Sequence, residues 1–372
     1  MKPRTSSRSM AAVLVGVAAL VLGVAGTGAS AAPPDESIEQ LIADRINVAG
    51  RGAAVADYGF SAGLSGGFAS DTAGSGPVLP AWLAAFGYGL LNPDAAPPGA
   101  NDWNCKPTAA HPRPVVLLHG TWMNAYNSFA FMGQPIKDAG FCTFAFNYGR
   151  SGPVQGGGLP PVLPGVMGTG NIEDSAKQLG TFVDRVLAAT GAPAVDIIGY
   201  SQGGAMANWY TKFEGGADKV QHLITFGATH HGSTIDGIAA LGRAINNIGV
   251  DVVGASSIVV GHAVAEQTIG SDFVNRLNAN GDTIPGIDYT VVGTRYDEIM
   301  TPYNLTFLRQ GRGASVENVT LQDGCELDLS DHQTLMYSPR ALSIALRALD
   351  PAGHPNLACT FNPWLIGGGG HL

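Results

Sequence analysis

The sequence predicts an α/β fold in which a central, mostly parallel β-sheet is covered by helices on both faces. Short apolar runs recur along the chain, and each has the length of a buried strand. Segments with apolar residues at helical spacing lie between these runs, as βαβ crossovers require. Because ligands bind beyond the carboxyl ends of parallel strands, we expect the functional residues where the apolar runs end.

The boundaries of the elements follow from local signals. Gly140 is a helix stop signal, Asn171 begins the next helix, and Ser338-Pro339 suit the cap and first position of a closing helix. A loop rich in glycine and proline over 149–170 is expected at the functional edge of the sheet. Strands are predicted at 115–118, 141–148, 195–200, 222–227, 289–294 and 318–321, and helices at 132–139, 171–190 and 338–349.

The stretch Val195–Gly204 runs from a buried strand into a sharp turn that carries one serine, Ser201, between small residues. A serine at a strained strand-to-helix turn needs neighbours without side chains, which the pattern Gly-x-Ser-x-Gly supplies. The following helix directs free backbone N–H groups at the serine. Since the chain contains 52 glycines, the bare pattern can arise by chance, and the strand and helix around it are what favour a catalytic nucleophile.

Two backbone N–H groups are candidates for an oxyanion hole. Gln202 follows the serine directly, and Thr121 lies just after the strand 115–118, where it offers both a backbone N–H and a hydroxyl. His119 belongs to the same turn as Thr121. We interpret His119 as a structural histidine, because a better candidate for the catalytic base occurs later in the chain.

A nucleophilic serine needs a base and a carboxylate that orients the base, and with this type of turn the order along the chain is serine, acid, histidine. Asp297 follows the strand 289–294, and His332 follows the last strand. We therefore predict a triad of Ser201, Asp297 and His332. Competing acids are Glu298 and Asp331; competing bases are His230, His231 and His262, which precede the acid, and His354 and His371 lie in the tail.

The N-terminus has the features of a secretory signal peptide over residues 1–31. Three cations, Lys2, Arg4 and Arg8, precede an apolar run, and Ala29-Ser30-Ala31 suits cleavage. A membrane anchor is the rival interpretation, but the run is short and rich in glycine and alanine, and no later stretch predicts a stable span.

Residues 32–100 are interpreted as a low-complexity extension with one amphipathic helix at 37–48, and 101–372 as the catalytic domain.

The net charge and the cysteine content limit the classes of partner and the cellular compartment that we expect for this protein. The formal net charge of the whole chain is −9, so nucleic acid is not an expected partner. The four cysteines allow three pairings in an exported protein, of which we favour Cys105–Cys142 and Cys325–Cys359, because each would tie a loop to a nearby core element. Zinc is the alternative, but no two cysteines have the spacing of metal ligands.

The long stretch 235–266 interrupts the alternation of strands and helices. It is apolar, rich in small residues and nearly uncharged. It can be one or two helices packed on the sheet, or a cap that forms an apolar wall around the site and meets lipid.

Together these motifs resemble a known family. His119-Gly120-Thr121, Tyr200-Ser201-Gln202-Gly203, Asp297-Glu298-Ile299 with Pro302, and Cys325 before His332 are similar to the secreted bacterial class 2 lipases and the Candida antarctica lipase B type. The resemblance covers about residues 101–360. It implies an α/β-hydrolase fold and hydrolysis of carboxylic esters or triacylglycerols by the triad and oxyanion donors named above. The stretch 235–266 is the candidate cap insertion in this fold, on its composition and not on the resemblance.

The expected function is therefore that of a secreted serine ester hydrolase, with a lipid or ester substrate that it can meet at a lipid–water interface. We expect a monomer that needs no cofactor and no metal. A short-chain esterase or cutinase-like polyester hydrolase uses the same triad, and an acyltransferase of the cell envelope replaces water by another acceptor. A hydrolase fold that only binds its ligand is a further alternative, although every triad member is present here.

Overall fold

The strands form one sheet in the computed structural model of the chain, which describes residues 67–152, 155–235 and 260–368. Seven strands of the described residues lie in the order β1-β3-β2-β4-β5-β6-β7. β1 is antiparallel to β3, and every other neighbouring pair is parallel. The strands are β1 Phe68–Asp71, β2 Val115–Leu118, β3 Thr143–Arg150, β4 Val195–Tyr200, β5 Val220–Phe226, β6 Asp288–Gly293 and β7 Ser315–Thr320.

Helices connect most of these strands. The described α-helices are α1 Trp82–Leu91, α2 Ala125–Phe129, α3 Gly133–Asp138, α4 Ile172–Thr190, α5 Gln202–Phe213, α6 His262–Glu266, α7 Asp272–Asn278 and α8 Pro339–Leu349. Two of these helices begin at the capping residues that the sequence predicts. The Asn171 side chain accepts from the N–H of Asp174 at the start of α4, and Ser338 accepts from Ala341 at the start of α8.

Alternate residues of the central strands enter two hydrophobic clusters, one on each face of the sheet. Val116 and Leu118 pack with the apolar sides of α4, α5 and α7. Val115 and Leu117 pack on the opposite face with α2, α3 and α8. Because both faces are covered, β2 is apolar along its whole length and β4 is apolar apart from Asp196 and Gly199, instead of alternating with polar residues. The predicted α/β class, with helices on both faces, is confirmed.

The boundaries of the predicted strands and helices differ from the observed ones by a few residues at most, but three helices, α1, α2 and α7, were not predicted. β3 begins at Thr143 where the sequence predicts 141, and α3 spans Gly133–Asp138 within the predicted helix 132–139. Of the three missed helices, α2 is only five residues long and begins at a capping box formed by Asn124 and Asn127. It is too short to give a periodic apolar pattern.

The described part of the predicted N-terminal extension takes part in the same sheet and core. β1 pairs with β3, Ala85 of α1 is fully buried beside the residues of α2, and Asn124 Nδ2 donates to Gly89 O at 2.9 Å. The fold therefore extends at least to Phe68, upstream of the predicted boundary at residue 101. β1 is mostly exposed, so its sequence carries no apolar run.

Two disulfides join Cys105 to Cys142 and Cys325 to Cys359, the pairing that the sequence favoured. The first ties the segment before β2 to the start of β3, and the second ties the segment after β7 to the tail beyond α8. The predicted signal peptide, the helix at 37–48 and most of the predicted cap, residues 236–259, lie outside the described residues.

Candidate active site

Ser201 lies at the turn between β4 and α5 with φ 51° and ψ −122°, a strained conformation for a residue with a side chain. The flanking glycines make this turn possible. A Cβ on Gly199 would lie 2.7 Å from the Cα of Gly204, and a Cβ on Gly203 would lie 2.6 Å from the carbonyl oxygen of Leu118. The serine side chain is thereby presented at the carboxyl end of the sheet.

Three side chains form a hydrogen-bonded chain at this end of the sheet. Ser201 Oγ lies 3.0 Å from His332 Nε2, and His332 Nδ1 lies 2.9 Å from Asp297 Oδ2. All three residues are buried, with exposed fractions of 5% for Ser201, 3% for His332 and 8% for Asp297. The structure thus brings together the three residues that the sequence predicts as a triad, although they come from three separate loops.

The loops hold the acid and the histidine by backbone contacts. Asp297 Oδ1 accepts from the N–H groups of Ile299 at 3.1 Å and Met300 at 2.6 Å, which leaves Oδ2 for the imidazole. The Tyr200 hydroxyl donates to the carbonyl oxygen of His332 at 2.9 Å, which connects the histidine loop to the end of β4. The positions of the His332 ring and of the Asp297 carboxylate are therefore held by other contacts besides the hydrogen bond between them.

The charges around His332 favour its protonated form. Burial would by itself lower the pKa of the imidazole, but Asp297, with smaller contributions from Glu298 and Asp331, outweighs burial and raises the pKa above its ordinary value of 6.5. Asp297 Oδ2 accepts the hydrogen of Nδ1, so the neutral ring presents the lone pair of Nε2 to Ser201. This is the arrangement that a general base requires.

The two competing carboxylates have other contacts. Glu298 Oε2 accepts from the backbone N–H of His332 at 3.1 Å, and burial, reinforced by the neighbouring carboxylates, raises the pKa of Glu298 to about 8. Asp331 accepts from the N–H and hydroxyl of Thr334 and from the N–H of Leu365. Neither carboxylate contacts the ring nitrogens, so Glu298 and Asp331 hold the loop of the histidine.

The predicted oxyanion donors lie beside the serine. The Gln202 N–H is at the first position of α5, and Thr121 lies in the loop after β2, where Gln202 Nε2 donates to Thr121 Oγ1 at 3.1 Å. No described residue accepts a hydrogen bond from the backbone N–H of Thr121 or of Gln202. Both groups are therefore available to a negative oxygen that forms on a substrate.

His119 has the structural role expected from the sequence position. Its Nδ1 donates to Gly120 O at 2.9 Å, its Nε2 accepts from the N–H of Tyr148 at 3.2 Å, and its ring stacks on that of Tyr148. Burial lowers the pKa of His119 to about 4, so the ring is neutral at physiological pH. It holds the loop that carries Thr121.

The other histidines contact different parts of the molecule. His230 Nε2 lies 3.2 Å from Thr225 Oγ1, and burial lowers its pKa to about 3. His231 lies 3.2 Å from Asp282 Oδ2 through Nε2. In the described part of the chain none of His230, His231, His262 and His354 forms a hydrogen bond with Ser201 or Asp297, and His371 lies outside the described residues.

Two residues at the site were not predicted from the sequence. Gln267 Nε2 donates to Thr121 Oγ1 at 2.8 Å, and Tyr200 supports the histidine loop. Gln267 follows a stretch that the sequence assigns to a cap, and a single glutamine there gives no signal. Tyr200 stands inside the serine motif at a position where any residue is compatible with the pattern.

Metal-ligating side chains do not cluster in the described ranges. Among those residues, no group of three or more histidine, cysteine, aspartate or glutamate side chains is arranged to hold a metal ion. Nor does any helix of residues 67–152, 155–235 and 260–368 have the length and apolar character needed to cross a membrane.

Comparison with known families gives one match over most of the chain. The model of the family described as lipase (class 2) matches residues 112–339, which contain every residue of the predicted triad and both predicted oxyanion donors. The resemblance predicted from the motifs is thereby confirmed.

One solved structure shares the fold, and others match more weakly. Aspergillus fumigatus lipase B has a TM-score of 0.52 at 17% identity, over 68% of this chain and 55% of that chain. The mature form of the Bacillus licheniformis lipase BlEst2 gives 0.44 at 15% identity, over 65% and 94%, and the Rhodococcus esterase RhEst1 gives 0.37 at 17%, over 66% and 92%. The chain thus spans about half the length of the Aspergillus protein, and at this identity the first likeness confirms the predicted α/β-hydrolase fold alone.

Proposed function

Because this chain belongs to the class 2 lipase family, we propose that it is a lipase, a serine hydrolase that cleaves the carboxylic esters of lipids. Ser201 is the nucleophile, His332 the general base and acid, and Asp297 the carboxylate that orients the imidazole. The observation that carries this proposal is the continuous chain of hydrogen bonds from Ser201 Oγ through His332 to Asp297 Oδ2.

Acylation begins when Ser201 Oγ attacks the ester carbonyl carbon and its proton passes to His332 Nε2. The imidazolium that forms is stabilised by Asp297, whose charge already raises the pKa of the ring. The carbonyl oxygen becomes an oxyanion, which accepts from the N–H groups of Thr121 and Gln202. Loss of one such donor typically lowers kcat by about 10²–10³-fold.

The tetrahedral intermediate then breaks its bond to the alcohol oxygen, which receives the proton held on His332 Nε2. The acyl group remains on Ser201 Oγ. A water molecule gives its proton to His332, attacks the acyl carbon and releases the carboxylic acid, and the same proton returns to Ser201. The same three residues and the same donors serve both halves of the reaction, so no cofactor takes part.

The experiment is hydrolysis of p-nitrophenyl esters from C2 to C16, and of emulsified triacylglycerol, by the wild-type chain and by Ser201→Ala. We expect the variant to lose roughly three or more orders of magnitude in rate on every ester, as loss of a triad nucleophile produces. Activity on long-chain esters and on the emulsion supports a lipase. Activity confined to short or dissolved esters contradicts the lipase and supports an esterase, and two equally inert proteins contradict ester hydrolysis itself.

We further propose that the protein is exported, with residues 1–31 as its signal peptide. The two disulfides support an oxidising destination. N-terminal sequencing of protein recovered from the culture medium tests this proposal. A mature chain that begins at Ala32 is the expected result, whereas an intact leader on protein that stays in the cytoplasm contradicts export.

A further inference from the structure

The loop that carries His332 is held by the tail of the chain that follows α8. The N–H of Leu329 donates to the carbonyl oxygen of Asn362 at 3.0 Å, and the N–H of Leu365 donates to Asp331 Oδ2 at 2.8 Å. This tail lies beyond residues 112–339, the part of the chain that the lipase (class 2) model matches. The position of the histidine loop therefore depends on residues outside the family match.

The side chain of Asn362 bonds this loop on both sides of the histidine. Its Nδ2 donates to Ser330 Oγ at 2.7 Å and to the carbonyl oxygen of Thr334 at 3.3 Å. Ser330 precedes His332 by two residues, and Thr334 follows it by two residues. Asn362 is fully buried. A single NH₂ group thus connects the two ends of the short segment that presents the imidazole.

The other contacts of these partners determine which way the amide of Asn362 points. The carbonyl oxygen of Thr334 can only accept, so a flipped amide would place two acceptors against each other. The hydroxyl of Ser330 donates to Asp328 Oδ1, which leaves its oxygen to accept from Asn362. Because both acceptors are buried, loss of the NH₂ group would leave each of them without this donor.

Ser330 also connects the histidine loop to the loop of the acid. Its carbonyl oxygen accepts from the hydroxyl of Thr294, which lies three residues before Asp297, and its N–H donates to Asp328 Oδ1 at 3.0 Å. Ser330 and Thr294 are both fully buried. A displacement of Ser330 would therefore change the position of the histidine relative to the acid.

We propose that Asn362 is a positioning residue, which holds the loop of His332 so that the imidazole lies between Ser201 and Asp297. This inference rests on the proposed function, because the position of the ring affects the rate only if His332 transfers the proton. The ring has to meet Ser201 Oγ at 3.0 Å and Asp297 Oδ2 at 2.9 Å at the same time. A misplacement of about 1 Å in such an arrangement can cost about 10²-fold in rate.

Asn362→Leu tests the proposal, because leucine has a similar size but no donor. We expect kcat on a p-nitrophenyl ester to fall by about tenfold or more, with KM within about twofold of wild type, since substrate binding does not use the ring. A kcat within about twofold of wild type would contradict the proposal.

The same substitution in a His332→Ala background separates positioning of the ring from a general disturbance of the fold. The residual rate of His332→Ala comes from the oxyanion hole and substrate binding and does not use the imidazole. If Asn362 acts through His332, adding Asn362→Leu changes this residual rate by less than about twofold. An equal fall in both backgrounds would show that Asn362 acts elsewhere, and the proposal would be wrong.

Folding is checked by circular dichroism and by the Tm of each variant. If Asn362→Leu does not fold at the assay temperature, Asn362→Ser replaces it in both backgrounds, because the smaller side chain avoids overpacking and cannot reach both partners. The expected result is the same in direction: a lower kcat when His332 is present and an unchanged residual rate when it is absent.

The matched control is Asn208→Leu. Asn208 is a fully buried asparagine of α5 whose Nδ2 donates to the carbonyl oxygen of Asp282 at 3.1 Å. We expect a lower Tm with kcat within about twofold of wild type. Ser201→Ala is measured in parallel. If wild-type activity depends on Ser201 but Asn362 has no effect through His332, this inference alone is overturned; a wild-type chain inert on every ester overturns the proposed function as well.

Discussion

Asp297 Oδ2 lies 2.9 Å from His332 Nδ1, while the other oxygen of the same carboxylate accepts two backbone N–H groups of its own loop. The acid is therefore oriented by the loop after β6 and in turn orients the ring. The hydrogen bond between Asp297 and His332 decides which nitrogen of the imidazole carries the hydrogen when His332 is neutral. Nδ1 carries it, and Nε2 is left to accept the proton of Ser201.

Asp297→Asn should abolish most of the activity without unfolding the protein. The asparagine oxygen can still accept from Ile299 and Met300, but its NH₂ group then faces Nδ1 and drives the hydrogen to Nε2. By the same chemistry as in other serine triads, we expect kcat to fall by about 10⁴-fold. Steady-state kinetics on a p-nitrophenyl ester, with circular dichroism as the check on folding, measures this.

Asp331→Asn is the matched control for the choice of acid. Asp331 bonds Thr334 and Leu365 and not the ring, so this variant should lower the Tm and keep kcat within about tenfold of wild type. A larger loss in Asp331→Asn than in Asp297→Asn would show that the acid has been assigned to the wrong residue.

The rate should depend on pH through the imidazole of His332. Only the neutral ring can accept the serine proton, and the pKa of His332 is raised above 6.5 because Asp297 and its neighbouring carboxylates outweigh the effect of burial. The profile of kcat/KM should therefore rise with an apparent pKa above 6.5 and reach a plateau at mildly alkaline pH. A rate that falls steadily from about pH 5 to about pH 8, with the fold intact, would contradict a histidine base.

Glu298→Gln should make stability less sensitive to pH. The folded pKa of Glu298 is raised from 4.5 to about 8, so across that window the unfolded carboxyl has lost its proton while the folded one keeps it. The unfolded state binds fewer protons, and the free energy of unfolding of the wild type therefore falls as the pH rises. Glutamine at 298 can still accept from the N–H of His332 and does not titrate.

The measurement is urea unfolding of both proteins at several pH values. The stability of Glu298→Gln relative to wild type should increase from about pH 4.5 to about pH 8, because groups that do not interact with Glu298 contribute equally in both proteins. A difference in stability that does not change across this window would mean that Glu298 is ionised in the folded protein throughout it.

Gly203→Ala should destabilise the turn that carries Ser201. The added Cβ would lie 2.6 Å from the carbonyl oxygen of Leu118 and 2.7 Å from that of His119, and backbone atoms cannot move aside cheaply. Overpacking of this kind costs roughly 1–3 kcal/mol. Gly87→Ala is the control, because a Cβ there meets no heavy atom within 4 Å and lies inside α1, so it should be neutral or stabilise by up to about 1 kcal/mol. Equal effects in urea unfolding would contradict the steric account.

Most of the sheet could be predicted from the sequence because its central strands are buried on both faces and are therefore mostly apolar. β2 is a continuous apolar run, β4 is apolar apart from Asp196 and Gly199, and α4 shows helical spacing with a clear start at Asn171. β1 could not be recognised, since its residues are mostly exposed at the edge of the sheet. α2 was missed because five residues are too few for a period to show.

The residues predicted for the triad could be found because each follows a recognisable strand in the order that this type of turn requires. Gln267 could not, because its role depends on a contact with Thr121 across distant parts of the chain. The position of Glu298 beside Asp297 suggested a competing acid, and only the direction of its side chain shows that it bonds the backbone of His332. Directions of side chains in loops are set by tertiary contacts and leave no pattern in the sequence.

The most direct test of the central claim is covalent labelling of Ser201 by diethyl p-nitrophenyl phosphate. If Ser201 is the activated nucleophile, its oxygen displaces p-nitrophenolate and gives one diethylphosphoryl group per chain, seen in the intact mass and located on the peptide that contains Ser201. Activity should disappear in step with the label, and Ser201→Ala should stay unlabelled. Labelling of Ser201→Ala at the wild-type rate, or an unlabelled and fully active wild-type chain, would contradict the claim that Ser201, His332 and Asp297 form the catalytic triad.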